Sequence, residues 1–160
     1  MQEIFAEYKT FIVFLHVISA VVWVGGMIAM RYAAHPSFIE IESPQKRLER
    51  IADALKRLFC IAAPFVLLLL FTAIFMIKGY SISDSEFKLF VYTKEGIWTI
   101  MFLNLALMIR RRNKAEKALN NGDFVLAKNQ LELIGKYMVP LNILLGVTAI
   151  FIGSYFSSVL

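Results

Sequence analysis

The chain is 160 residues long, 59% hydrophobic and only 18% charged, a composition that excludes an ordinary soluble domain. Its formal net charge of +5 does not indicate nucleic-acid binding, because the basic residues lie in two loops without an accompanying aromatic–basic surface motif. The single cysteine, Cys60, excludes an intrachain disulfide and a cysteine-based metal cage.

Four apolar stretches approach the length of a bilayer crossing, which takes about 20 helical residues. They predict an all-α fold, an integral membrane four-helix bundle that forms a single domain over residues 1–160. The first stretch is unlike a cleavable signal peptide, because its leader carries Glu3 and Glu7 where positive charge is expected. The predicted spans cover about 8–31, 58–78, 88–109 and 137–157.

The basic residues predict how these spans are oriented. Thirteen of the 17 lie in the loops that follow the first and third spans, and four lie on the other side. Lysine and arginine concentrate in cytoplasmic loops, so we expect these two loops in the cytoplasm and both termini outside. The helices are expected to extend beyond the membrane on the cytoplasmic side.

Helix-start and helix-stop residues divide the first half of the chain. The first span is expected to end around Arg31, an interfacial cation, because Pro36 disfavours a straight continuation. Ser43 is predicted to cap a new helix that has Pro44 at its first position. This amphipathic helix runs into the second span, and a short polar outer loop is predicted over 81–86.

The second half is predicted to form a helical hairpin. Span three continues past the membrane to Leu119. Gly122 is of the residue type that commonly ends a helix, and Asp123 is of the type that caps the next one. The return helix starts at Phe124 and is expected to bend near Pro140.

His16 is the leading candidate site residue, because it lies inside the first apolar stretch, where an ionisable group costs free energy unless it finds a partner. Trp23 follows seven residues later, two helical turns, and therefore shares the face of His16. The imidazole could be an axial haem ligand, a copper ligand or a proton carrier, or a neutral group hydrogen-bonded to a neighbouring helix. The residues that extend this face towards other helices are Ser19, Ala20, Gly26, Met27 and Met30.

The second histidine, His35, cannot share one metal ion with His16 in a single subunit, since nineteen helical residues separate them by roughly 28 Å. It lies close to Arg31 at the expected cytoplasmic interface. His35 is either an ordinary solvated histidine or, together with Arg31, an anchor for a haem propionate or another anion.

The third span contributes Met101, which is expected at nearly the same depth as His16, about 12 Å from the outer surface. Histidine and methionine together are a known haem ligand pair, so these two residues are a candidate ligand set. A packing role for Met101 is the alternative. Asn104 and Asn142, in the third and fourth spans, are expected to form a hydrogen bond between helices.

Several short motifs resemble one group of membrane proteins. Leu15-His16, Trp23 and Gly26 match the Leu-His…Trp-x-x-Gly pattern of the first helix in the HemJ-type membrane protoporphyrinogen oxidases. Trp23-Val24-Gly25-Gly26 is also similar to the corresponding helix of the CopD copper-resistance domain. The other segments that resemble the family are Arg31 with His35, Arg47-Leu48-Glu49-Arg50, Gly96-Ile97-Trp98 and Val139-Pro140-Leu141.

The resemblance covers nearly the whole chain and implies a bacterial-type inner-membrane bundle that binds haem b, with His16 as a ligand. For the oxidases it would imply oxidation of a porphyrinogen, with electrons passed to quinone. Both families carry a lysine a few residues into the third helix, and Met101 occupies that position here. Methionine can neither hold a porphyrin carboxylate nor relay a proton. Lys94, about two turns earlier, is expected near the water interface.

Three functional hypotheses follow. The first is a haem-b-binding redox protein, possible substrates being a porphyrinogen or a quinone, with His16 and Met101 as ligands and Trp23, Arg31 and His35 as further cofactor contacts. Since the chain offers one mid-membrane histidine, bis-histidine ligation would need a second subunit, and we expect a homo-oligomer. The second is a CopD-like copper-handling component, although Cu(I) favours soft ligands in groups. The third is a ligand-free membrane assembly protein.

Overall fold

The computed structural model describes residues 2–79 and 88–159, and these residues form four long helices. No strand occurs within these two ranges, which confirms the all-α prediction. The polar loop predicted over 81–86 lies outside the described residues.

Helix α1 extends beyond Arg31, around which the first span was expected to end. It continues through Pro36, and a π-helical turn explains how. In that turn the backbone N–H of His35 donates to the carbonyl of Met30, five residues earlier, which adds one residue to the turn just before the proline. The segments of α1 are Gln2–Ala20, the π-helical turn Val21–Gly25, Gly26–Ala29, the π-helical turn Met30–Ala34 and His35–Ile39.

Helix α2 spans Pro44–Gly79, and its start confirms the predicted cap. The backbone N–H of Lys46 donates to Ser43 Oγ at 3.4 Å. The guanidinium of Arg47 donates to the carbonyl of Ile41 at 2.7 Å, which closes the turn between α1 and α2. The buried residues of α2 recur at helical spacing and include Ala52, Leu55, Phe59, Ala62 and Val66.

Helix α3 spans Lys88–Asn120, and the turn after it also follows the prediction. Gly122 has a φ of 77°, which a residue without a β-carbon adopts readily. Asp123 Oδ1 accepts the N–H of Leu126 at 2.9 Å and so caps the next helix. Helix α4 consists of Phe124–Leu133, the π-helical turn Ile134–Met138 and Val139–Val159, so that a π turn lies where a bend near Pro140 was expected.

Consecutive helices pack side by side and antiparallel. Between α1 and α2, Phe5 packs against Gly79, His16 bonds to Thr72, and Gly26 lies against Leu58. The contacts therefore advance along α1 while they retreat along α2. We call the end of the bundle that carries residues 31–57 and 110–136 the basic end, and the opposite end, near residues 5 and 155, the termini end.

Among residues 2–79 and 88–159, three helical stretches are long and apolar enough to cross a membrane: Phe5–Ile39, Pro44–Gly79 and Phe124–Tyr155. The span predicted over 88–109 lies in α3, which is helical but does not meet the same standard of hydropathy. Lys94, Glu95 and Asn104 are the residues that make it more polar.

The basic end is tied together by a buried arginine. Arg112, only 4% exposed, donates from Nε to the carbonyl of Ala52 on α2 at 2.9 Å. Its two terminal nitrogens bind the Glu116 carboxylate at 2.7 and 2.9 Å. Arg111 donates to Gln130 of α4 at 3.0 Å. These bonds join the extended parts of α2, α3 and α4.

An asparagine pair joins α3 to α4 in the middle of the bundle, as the sequence predicted. Asn104 Nδ2 donates to Asn142 Oδ1 at 2.7 Å and to the carbonyl of Met138 at 2.8 Å. Asn142 Nδ2 donates to the carbonyl of Met101 at 3.4 Å. Both amides are buried, so the bonds satisfy groups that would otherwise be costly to desolvate.

We predict that Gly146→Ala destabilises the bundle by about 1–3 kcal/mol. A β-carbon at Gly146 would lie 2.5 Å from Val24 Cγ2 and 3.2 Å from the Met101 methyl group, so α1, α3 and α4 cannot all keep their positions. Unfolding in detergent measures the effect. Gly96→Ala is the control, because no atom lies within 4 Å of its added β-carbon; equal destabilisation of both variants would contradict the packing argument.

The Arg112–Glu116 pair predicts an acid-sensitive contribution to stability. Hydrogen bonds from Arg112 hold the pKa of Glu116 below its ordinary 4.5. The contribution is therefore complete above pH 4.5 and is lost as the pH falls through the lowered pKa. We expect less than about 1 kcal/mol, because the carboxylate side chain is 42% exposed.

Unfolding midpoints recorded between about pH 6 and pH 3 test this, with Glu116→Gln expected to lose part of the acid dependence. Glu132→Gln, which removes an exposed carboxylate elsewhere at the basic end, is the matched control. An acid dependence that survives unchanged in Glu116→Gln would refute the assignment.

Candidate functional site

The imidazole of His16 is fixed by a threonine on the neighbouring helix. His16 Nδ1 lies 2.8 Å from Thr72 Oγ1. The Thr72 hydroxyl itself donates to the carbonyls of Leu68 and Leu69, at 2.8 and 3.1 Å. A hydroxyl has one hydrogen, so when Thr72 donates it to the backbone its oxygen accepts from His16 Nδ1–H, and the lone pair of the neutral ring is then on Nε2.

A lysine approaches the same level of the bundle from α3. The nearest atom to a β-carbon placed at Gly153 of α4 would be Lys94 Nζ, at 3.1 Å, so the missing side chain leaves the space that the ammonium uses. Gly153 lies two helical turns beyond Gly146, which faces Val24 of α1, so Lys94 lies about two turns from Val24 towards the termini end, at the level of His16. Within the described parts of the chain, Lys94 forms no ion pair. The Lys94 ammonium and the His16 imidazole therefore lie at the same level of the bundle.

Two tryptophan side chains lie next to this level of the bundle, on its side towards the basic end. Trp23, 2% exposed, lies two turns after His16 on α1, and Trp98 lies one turn after Lys94 on α3. Trp98 also stacks on Phe102 with ring centroids 5.1 Å apart. The indole N–H groups of both tryptophans are buried and find no hydrogen-bond acceptor among residues 2–79 and 88–159. Unpaired buried donors of this kind call for a physical explanation.

Met101 does not lie at the depth that the sequence predicted. Its methyl group packs beside Val24 against Gly146, and Val24 is eight residues, about 12 Å, further along α1 than His16. Met101 is 3% exposed and belongs to the hydrophobic core. The structure therefore does not bring His16 and Met101 together. Which residues of α1 and α3 lie at one level depends on how far the two helices are shifted along each other.

Arg31 and His35 form a separate feature at the basic end. They line a small cleft between α1, α2 and α4, many turns of α1 away from His16. Nε2 of His35 would lie 4.0 Å from a β-carbon at Gly135 on the far wall. Fifteen residues, roughly 22 Å of helix, separate Arg31 from His16, so these two side chains do not line one porphyrin-sized site.

The described ranges contain no group of three or more His, Cys, Asp or Glu side chains that could hold a metal ion. A site at His16 thus offers one histidine nitrogen and, among the described residues, no group of further metal-binding side chains. That geometry suits a cofactor that brings its own equatorial ligands better than a bare ion that needs several protein ligands.

Comparison of this chain with protein-family models, with curated proteins and with solved structures finds no match. The resemblance to HemJ-type oxidases and to the CopD domain rests on the short motifs quoted above.

Sequence reasoning missed Thr72 as the partner of His16 and did not single out Lys94 as a site residue. No signature marks a threonine as the partner of a particular histidine, because the partner depends on the register between helices. Lys94 did carry a signal: the spacing of four and three residues that links it to Trp98 and Met101 places all three on one face of α3.

The Thr72 bond predicts which nitrogen of His16 carries the proton. In the wild type, Nδ1 of the neutral ring should be protonated, and Thr72→Val should shift the proton towards Nε2 because the acceptor is gone. ¹⁵N NMR of histidine-labelled protein in detergent distinguishes the two forms, with His35 as the internal reference. A wild-type His16 protonated on Nε2 would contradict this geometry.

Proposed function

We propose that this chain is a haem-b-binding membrane redox protein in which Nε2 of His16 is an axial ligand to the iron. The observation that carries the proposal is the Nδ1–Thr72 bond of 2.8 Å, which holds the ring and leaves Nε2 available. Haem-ligating and metal-ligating histidines typically have their second nitrogen held by such a partner. Bound haem would supply reversible one-electron chemistry.

The surrounding residues fit a haem in two further respects. Lys94 provides a cation at the level of His16, suited to a porphyrin propionate. The buried indole N–H groups of Trp23 and Trp98 are donors for an oxygen acceptor, such as a second propionate or a quinone carbonyl. Lys94 thereby supplies the cationic function that Met101 cannot, two turns along the same helix.

The second axial position is not filled by Met101 in this proposal, because Met101 packs beside Val24 and Gly146. It is either open or provided by a second copy of the chain, which is the homo-oligomer expected from the sequence. Arg31 and His35 lie too far from His16 to contact the same porphyrin.

The family resemblance supports a porphyrinogen as the substrate and a quinone as the electron acceptor. Both are largely apolar molecules that can reach a site inside a helical bundle from the lipid phase. The copper alternative is less well supported, since His16 is not part of a group of metal-binding side chains in the described residues.

We place all four helices across a bacterial-type inner membrane. The chain leaves α2 at Gly79 of the termini end and enters α4 at Phe124 of the basic end, so α3 must traverse the same thickness. The two large phenylalanines of α1 at positions 11 and 14 are each 58% exposed, as a lipid-facing surface requires. The positive-inside rule puts the basic end in the cytoplasm and both termini outside.

The test is an absorption spectrum of the detergent-purified protein, expressed with a haem precursor and recorded oxidised and dithionite-reduced. We expect a Soret band that shifts on reduction and that is lost in His16→Ala. Met101→Leu should retain the band, because the thioether is not a ligand. Lys94→Gln should retain the iron ligand but lower the haem occupancy.

Full haem occupancy in His16→Ala would refute the assignment of the ligand. A colourless wild-type protein would refute haem binding itself, and metal analysis of that sample would then decide between the copper alternative and a ligand-free assembly protein.

A further inference from the structure

We propose that the cleft lined by Arg31 and His35 binds the phosphate group of an anionic phospholipid. This inference does not depend on haem binding, because the cleft lies at the other end of α1 from His16.

The cleft combines a polar rim, in which Arg31 carries the positive charge, with an apolar wall. Arg31 and His35, four residues apart on α1, supply the polar groups. Neither side chain forms an ion pair with a carboxylate in the described ranges, and no acidic residue lines the cleft there. The wall consists of Met30, Ile51, Leu55, Leu131, Ile134 and Val139. A guanidinium beside an imidazole suits a phosphate.

The position of the cleft points to a lipid as the source of that phosphate. Tyr32 of α1 is 69% exposed and Tyr137 of α4 is 58% exposed, and both flank the cleft in sequence. Lys136 lies over the Tyr137 ring, with Nζ 5.4 Å from its centroid. Exposed tyrosines beside lysine and arginine mark the headgroup level of a membrane protein.

The backbone at the cleft is unusual on both sides. The π-helical turn Met30–Ala34 contributes Met30 and Arg31, and the π-helical turn Ile134–Met138 contributes Ile134 and Gly135. A π turn displaces the following side chains from their regular positions and is frequent at functional sites. Gly135 keeps the space in front of His35 open, since a β-carbon there would lie 4.0 Å from Nε2.

Native mass spectrometry of the full-length protein in detergent tests the proposal. The protein is mixed with equal amounts of phosphatidylglycerol and phosphatidylcholine that carry the same acyl chains. We expect wild type to retain phosphatidylglycerol about tenfold over phosphatidylcholine, and Arg31→Gln to reduce that preference nearly to parity. Arg50→Gln is the matched control, because it removes an exposed guanidinium from the same end of the bundle.

Two more variants separate the cleft from charge and from misfolding. Arg31→Lys keeps the charge but loses the two-pronged geometry, so its preference should be intermediate. Gly135→Leu keeps the side chains of Arg31 and His35 but fills the space before His35, and should lose the preference as fully as Arg31→Gln. Unfolding midpoints of each variant show whether the bundle is intact.

Three results would overturn the proposal. One is a wild-type protein without preference for phosphatidylglycerol. Another is an equal loss in Arg31→Gln and Arg50→Gln, which would show only a general charge effect. The third is an unchanged preference for phosphatidylglycerol in Gly135→Leu, which would place the bound lipid outside the cleft.

Discussion

The register between α3 and α4 is the constraint on which the arrangement of the site depends. Asn104 donates to two acceptors on α4, and Asn142 returns a bond to the backbone of α3. Buried amides without these partners would be costly to desolvate. These hydrogen bonds therefore disfavour a one-turn slip of α3 along α4 more strongly than apolar contacts would. This register puts Lys94 opposite Gly153 and Met101 opposite Gly146, where the missing side chains leave room for both.

The same register separates two chemically different ends. The termini end holds His16 with its threonine partner and the approaching Lys94, whereas the basic end holds Arg31, His35 and the Arg112 network. A closely packed core that includes Val24, Met27 and Met101 lies between them. One small ligand cannot contact both ends, so the candidate functions of the two ends are independent. Interpreting Arg31 and His16 as parts of one haem site fails for this reason.

Features set by neighbouring residues were predictable from the sequence. The caps at Ser43 and Asp123 and the turn at Gly122 follow from the chemistry of a few consecutive positions. The asparagine pair was also predictable, because two buried amides in apolar helices have few partners other than each other.

Features set by the relative placement of helices were not predictable. The depth of Met101 was wrong because counting residues from an estimated span boundary ignores where α3 actually begins. The end of α1 was wrong because a π turn absorbs the effect of Pro36, and no residue pattern announces that turn. The sequence also could not show that Lys94 Nζ lies against Gly153, because that contact depends on the register between α3 and α4.

Pro36 and Pro140 both affect the shape of the cleft. They are far apart in the sequence, but each follows a π turn by two residues, and both π turns border the same cleft. Proline has no N–H to donate and its ring displaces the carbonyl of the preceding turn, and a widened turn just before it relieves both effects. The backbone adjustments that keep α1 and α4 continuous therefore also shape the walls around Arg31 and His35. The cleft is a product of helix geometry on both sides. The sequence paired Arg31 with His35 as a candidate anion anchor, but it could not show the walls that α2 and α4 form around them.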